Sequence, residues 1–135
     1  MAVRVNLDMT FSVSSTTADE KDLGNLKNAL TSTAMGEGGS RKITLAAGVS
    51  DQEIELTNIS TVRLLFVKVA PKAENDPGQA VTIKRNTVGG EAIEIKPFDD
   101  KKIGYFLLTT DSLTALFASN AGVIDVELTI MTAGD

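Results

Sequence analysis

The chain has 135 residues, 42% of them hydrophobic and 23% charged, with a net charge of −5 and neither histidine nor cysteine. One domain with a real core fits that length, and disorder, a disulfide framework, thiolate chemistry and imidazole catalysis are all excluded or disfavoured. The acidic balance gives no long-range attraction to phosphate backbones or anionic lipid, and the six aromatic residues do not alternate with Lys or Arg as a base-stacking platform would require.

The N-terminus reads Met1-Ala2-Val3-Arg4-Val5-Asn6, so polar residues interrupt any signal-peptide core. No apolar run approaches the roughly 18 residues of a membrane span. A soluble protein made in the cytosol is the expectation. From Val3 the apolar residues Val5, Leu7, Met9, Phe11 and Val13 recur at every second position, opposite Arg4, Asn6, Asp8, Thr10 and Ser12. That period predicts a half-buried strand, and its length suggests that residues 1–18 include an N-terminal arm reaching beyond the domain.

Thr17 and Glu20 then have the spacing of a capping box, with Leu23, Leu26 and Leu30 on one helical face. Gly24 argues against a helix, so residues 17–34 read as at most one short helix or as an extended segment. Met35-Gly36-Glu37-Gly38-Gly39-Ser40-Arg41-Lys42 is glycine-rich and reads as a flexible loop entering a strand at Ile43. Further strands are predicted over Glu53 to Thr57, Val62 to Val69, Val81 to Arg85, Glu91 to Lys96, Ile103 to Thr109, Leu113 to Ala118 and Val123 to Met131. Short strands separated by polar or glycine-bearing turns predict a single all-β domain, an antiparallel sandwich or barrel.

One hairpin is testable by parity. If residues 86–90 form a five-residue loop, Arg85 faces Glu91, Ile83 faces Ile93 and Val81 faces Ile95, and a slip of one residue destroys the agreement. Two other strands, Val62 to Val69 and Ile103 to Leu108, carry large apolar groups on both faces. Their second face needs cover. That cover is either intrachain, from the 17–34 segment or the N-terminal arm, or an oligomer or partner interface using Leu65, Val67, Phe106 and Leu108.

Candidate chemistry is sparse. Asp99-Asp100, like Asp19-Glu20, is an adjacent acidic pair, but it lies in Pro97-Phe98-Asp99-Asp100-Lys101-Lys102 and reads as a solvated turn. Ser12, Ser14 and Ser15 have no histidine to activate them and no nucleophile elbow. The Gly36-to-Gly39 stretch has Arg41 where a dinucleotide fingerprint needs its last glycine, and no Gly-Lys-Ser/Thr ending. Glu74-Asn75-Asp76 is the best oxygen-ligand cluster and reads as a polar turn, without the spacing of a calcium loop. Asn58-Ile59-Ser60 matches a glycosylation acceptor with no secretory signal beside it. Neither cofactor nor metal is expected, and the chain is expected not to be an enzyme.

In Ile43-x-Leu45-x-x-Gly48, in Thr61 to Lys68, and in Asp111-Ser112-Leu113-Thr114-Ala115-Leu116-Phe117-Ala118-Ser119-Asn120 with its final strand and Ala133-Gly134-Asp135, the chain resembles small virion proteins of tailed bacteriophages. In particular it resembles the jelly-roll cement, or decoration, proteins of phage heads. The resemblance implies an antiparallel jelly-roll-like sandwich that acts as a homodimer or homotrimer on the capsid exterior. Its partners would be the major capsid protein and itself, with no nucleic acid and no membrane. It also implies that the first strand, through Val3, Val5 and Leu7, can join a neighbour, and that the two-faced strands form a subunit interface. Similar sandwiches occur in tail, baseplate and fibre proteins, where Phe98 and Tyr105 would be the aromatic contacts of a receptor- or carbohydrate-binding site.

Overall fold

The structure, a computed structural model, describes residues 3–14, 22–35, 37–56, 59, 61–98 and 102–135. It is all-β, and among the described residues there is no helix. Ten strands follow in order: β1 (Val3–Ser14), β2 (Asp22–Met35), β3 (Glu37–Leu45), β4 (Gln52–Ile54), β5 (Val62–Pro71), β6 (Val81–Arg85), β7 (Ala92–Ile95), β8 (Gly104–Leu113), β9 (Leu116–Ser119) and β10 (Val126–Gly134). β1 and β2 form a two-stranded ribbon; the others make two four-stranded sheets, ordered β3-β10-β5-β8 and β4-β9-β6-β7, with every pairing antiparallel.

The strand order has a simple origin. β3 pairs β10, β4 pairs β9, β5 pairs β8 and β6 pairs β7. From β3 to β10 the chain is therefore one long antiparallel hairpin whose turn lies between β6 and β7. The hairpin is rolled up, because β10 also pairs β5 and β9 also pairs β6. Apart from the β6–β7 hairpin, successive strands from β3 to β10 alternate between the sheets, and Leu45, Leu65, Val67, Val69, Leu128 and Ile130 of one meet Ile54, Val81, Ile83, Ile95, Leu116 and Ala118 of the other in one core.

Rolling gathers the connections at two ends. At one, the β3–β4, β5–β6, β7–β8 and β9–β10 loops are bonded together. Ala47 N–H donates to Asp125 Oδ1 (2.9 Å), Asn120 N–H to the Val49 carbonyl (2.9 Å), Lys72 N–H to the Asp125 carbonyl (3.1 Å) and Lys102 Nζ to the Glu74 carbonyl (3.3 Å). At the other, Thr61 and Asp135 exchange backbone hydrogen bonds of 2.8 and 3.0 Å, and Asn86 binds the β8–β9 connection.

The register of the β6–β7 hairpin is the one the sequence predicts, with Val81 opposite Ile95 and Ile83 opposite Ile93. One open alternative is decided and one expectation is corrected. Thr17 and Glu20 lie outside the described residues, but residues 22–35 are strand β2, with Leu26 opposite Phe11 and Leu30 opposite Leu7. The Leu26–Leu30 spacing of four satisfies a helical face and a strand face alike, so periodicity does not separate them here. The glycine-rich stretch is not a free loop either: β3 starts at Glu37, and Gly38 and Gly39 pair with Ala133 and Thr132 of β10. A partner strand supplies the order that glycine cannot supply locally.

Candidate interaction surface

The pairing registers fix which residues share the outer face of the β3-β10-β5-β8 sheet. Reading across β8, β5, β10 and β3, successive rows of outward parity are Tyr105-Lys68-Thr129-Lys42, Leu107-Phe66-Met131-Ser40 and Thr109-Leu64-Ala133-Gly38, although Ala133 in the last row is buried. The alternate rows, such as Phe106-Val67-Ile130-Arg41, face the core. Leu64, Phe66, Leu107, Met131 and Tyr105 thus form an apolar stripe on the outside, with Tyr105 60% and Met131 45% exposed. The Phe66 and Tyr105 rings lie 5.9 Å apart and tilted by 33°, a favourable aromatic pair. Lys42 and Lys68 border the stripe, and Lys42 Nζ approaches Glu127 at 3.6 Å.

The opposite exterior is different. On the β4-β9-β6-β7 sheet the outward rows are Glu53-Phe117-Lys84-Ala92 and Ser119-Thr82-Glu94. Lys84 Nζ lies 3.0 Å from Asp51 Oδ1, and Asp51 N–H donates to Ser119 Oγ at 2.8 Å. This exterior intersperses Phe117 and Ala92 with bonded polar side chains, whereas the other gathers its apolar residues into one stripe. Within the stripe Leu64, Phe66 and Leu107 are half-buried, and Tyr105 and Met131 are its exposed members.

Four of the residues expected at an interface lie on the inner side of this sheet. Leu65 and Val67 are fully enclosed, and Phe106 and Leu108 pack against the core. Their place inside removes all four from a face-to-face contact through this sheet. Residues of the opposite parity, above all Phe66 and Leu107, take that position. A bulge between Val62 and Leu64 is the reason: Arg63 points outward, but beyond the bulge Leu65 points inward and Lys68 marks the true outer parity. Val3, Val5 and Leu7 lie on β1, at alternate positions of a ribbon that neither large sheet hydrogen-bonds.

Among the described residues, two clefts bear on this surface. One, of about 240 Å³, opens beside Gly39, whose position faces inward next to Thr132 and has nothing within 4 Å of where a Cβ would be. Arg41 and Glu55 meet across it at 3.6 Å and neutralise each other. The other, of about 190 Å³, lies between Arg85, Asn86, Glu91 and Ser112. There the Asn86 amide is already engaged, donating to the Ser112 carbonyl at 2.9 Å and accepting from Thr114 N–H at 2.7 Å.

Asp76 N–H closes a turn on the Ala73 carbonyl at 3.0 Å, so Glu74-Asn75-Asp76 lies in a turn. Ser15, Asp19, Glu20, Asn58, Ser60, Asp99 and Asp100 lie outside the described residues. At the four-loop end Phe98 is 75% and Val123 91% exposed, on different loops. No protein family, curated protein or solved structure matches the chain.

Proposed function

We propose that the protein is a non-catalytic virion structural component, a decoration protein that binds the outside of a phage head and bridges capsomers. The observation that carries this reading is the pair of strand orders, β3-β10-β5-β8 and β4-β9-β6-β7. A long hairpin rolled so that its first and last strands are neighbours is the winding of a jelly roll, an architecture used repeatedly in viral shells. Because fold alone does not assign function, the apolar exterior of one sheet is the second support. It suits broad adhesion to protein better than enclosure of a small substrate. Such a protein stabilises the shell because it binds the assembled state and shifts the equilibrium toward it, with many copies adding their modest contacts.

The partners in this reading are the major capsid protein and a second copy of the chain, and the site of action is the capsid exterior after synthesis in the host cytoplasm. The test is cosedimentation of the purified protein with preassembled heads of the phage that encodes it, followed by heat or chelator challenge. Saturable binding with raised resistance is expected. No binding to heads ends the proposal.

A second reading, a receptor- or carbohydrate-binding component of a tail, baseplate or fibre, is favoured by the exposure of Phe98 and Tyr105. Specific signals on a glycan array, abolished by Tyr105→Ala, would select it.

A further inference from the structure

We propose that two copies of the chain join edge to edge through β3, antiparallel and centred on Gly39, so that their β3-β10-β5-β8 sheets become one continuous sheet across a two-fold axis. The inference rests on reading the chain as self-associating, and needs no particular place in a virion.

Three observations lead to it. First, β3 is the least guarded edge of the two larger sheets, whose edge strands are β3, β8, β4 and β7. β4 and β7 have only three and four residues. β8 lies against β7, and its pairing with β5 is interrupted by the bulge between Val62 and Leu64. β3 runs nine residues in unbroken register with β10, contains no proline and, among the described residues, has no hydrogen-bonded strand on its other side. Short length, bulges and proline are what keep an edge from pairing with another chain, and β3 has none of them. Gly38 and Gly39 carry no side chain to hold a second backbone off, and nothing lies within 4 Å of the Gly39 Cβ position.

Second, β3 carries an unanswered charge on its inner side. Arg41 pairs with Ile130 in the core-facing row. Its Nη1 stands 3.6 Å from Glu55 Oε2, beyond hydrogen-bond range, and the Glu55 side chain is 73% exposed. Arg41 Nε is buried and has no hydrogen-bond partner among the described residues. Buried donors are nearly always paired, and an arginine fork takes a carboxylate on two donors at once. Glu55 engages one end of the guanidinium and leaves room for a second carboxylate.

Third, the sequence supplies that carboxylate in one register. Residues 37–41 read Glu-Gly-Gly-Ser-Arg, so Glu37 and Arg41 stand two positions to either side of Gly39. A two-fold antiparallel pair centred on Gly39 sets position 37 of each copy opposite position 41 of the other. Opposite charges then meet twice. Centring on Ser40 would set Arg41 opposite Gly39, and centring on Arg41 would set it against itself. An inward charge ordinarily guards an edge; here the same charge selects one partner and one register.

The chain has no cysteine, so introduced thiols report cleanly. In full-length Gly39→Cys each new residue lies opposite its own copy, at a Cα separation of about 4.5–5.5 Å that a disulfide can span, and mild oxidation should convert most of the protein to a covalent dimer. Ser40→Cys, one residue off the axis, should give at least tenfold less. The unmodified protein should have twice the chain mass at tens of micromolar. Glu37→Lys breaks both charge pairs at once, and should lower dimer affinity at least tenfold with the far-ultraviolet spectrum unchanged. A solution mass of one chain or of three overturns the proposal, as does equal oxidation of the two cysteine variants or a dimer indifferent to Glu37→Lys. Head cosedimentation is scored separately: an edge-paired dimer that ignores heads ends the decoration role and leaves the pairing standing.

Discussion

The Asn120 side chain, with no exposed surface, donates from Nδ2 to the Leu45 carbonyl at 3.2 Å across 75 positions of sequence. The same amide donates to the Ile124 carbonyl at 2.8 Å, and its Oδ1 accepts from Gly122 N–H at 3.0 Å. With the Asn120 N–H bonded to Val49, one residue ties the β9–β10 loop to the end of β3 and so closes the roll where the outermost strands of the hairpin meet.

Asn120→Ala should therefore be among the most damaging polar truncations. It strips partners from two carbonyls and one N–H in a dry site, and should cost about 2–4 kcal/mol. Urea unfolding followed by circular dichroism measures it. Asn120→Asp should be at least as harmful at neutral pH, because a carboxylate replaces a donor that faces two carbonyl oxygens. A loss below about 0.5 kcal/mol for both variants, the range of an ordinary surface change, would show that the lock is dispensable.

Asn86 performs a related task at the other end with a different division of labour. Its backbone has φ of 67°, and its side chain binds Ser112 and Thr114. Asn86→Gly keeps the left-handed conformation and loses the bonds, whereas Asn86→Ala loses both. Alanine should be the worse of the two by about 1 kcal/mol, the steric cost of the left-handed region for a residue with a Cβ. Equal losses would locate the whole contribution in the side-chain bonds.

Parity on β5 yields a sharper contrast. Leu65 is enclosed and Leu64, one residue away, faces outward. Leu65→Ala should cost about 2–5 kcal/mol through lost burial and a cavity. Leu64→Ala should cost under about 1 kcal/mol in the monomer. Thermal melts at low protein concentration compare them. Comparable losses would place both faces of β5 in a core.

The same strand shows where the sequence is informative and where it is not. The β6–β7 register is legible because Val81, Ile83, Ile93 and Ile95 alternate with polar neighbours, leaving one pairing that puts carbon against carbon. In Leu64-Leu65-Phe66-Val67 every position is apolar, so alternation is lost. The nearest polar marker, Arg63, lies within a bulge that resets the count. The inward side was legible only from Lys68, beyond the run. The stripe through Phe66 and Leu107 could be found from that residue, but its extension to Met131 needs the pairing of β5 with β10, which joins positions far apart in sequence. Gly38 and Gly39 fail for the complementary reason: their composition reads as a loop, and only β10, at the far end of the chain, makes them a strand.

Gly104 tests how closely the roll is wound where the chain enters β8. It is buried at the start of β8, opposite Val69, just after the chain has crossed from one sheet to the other. A Cβ there would stand 2.6 Å from the Lys96 carbonyl oxygen and 3.0 Å from Ile95 Cγ2. Neither neighbour is the free end of a flexible side chain. The φ of Gly104 is not in the left-handed region, so conformational strain is not the obstacle; space is. Gly104→Ala should cost about 1–3 kcal/mol by overpacking. Gly39→Ala is the matched control, because nothing lies within 4 Å of its Cβ position and its strand conformation is ordinary. It should be neutral or slightly stabilising through the lower entropy of the unfolded chain. Denaturant midpoints that fall for Gly104→Ala and hold for Gly39→Ala would match that close approach, and the reverse order would mean that β7 and β8 are not held together as described.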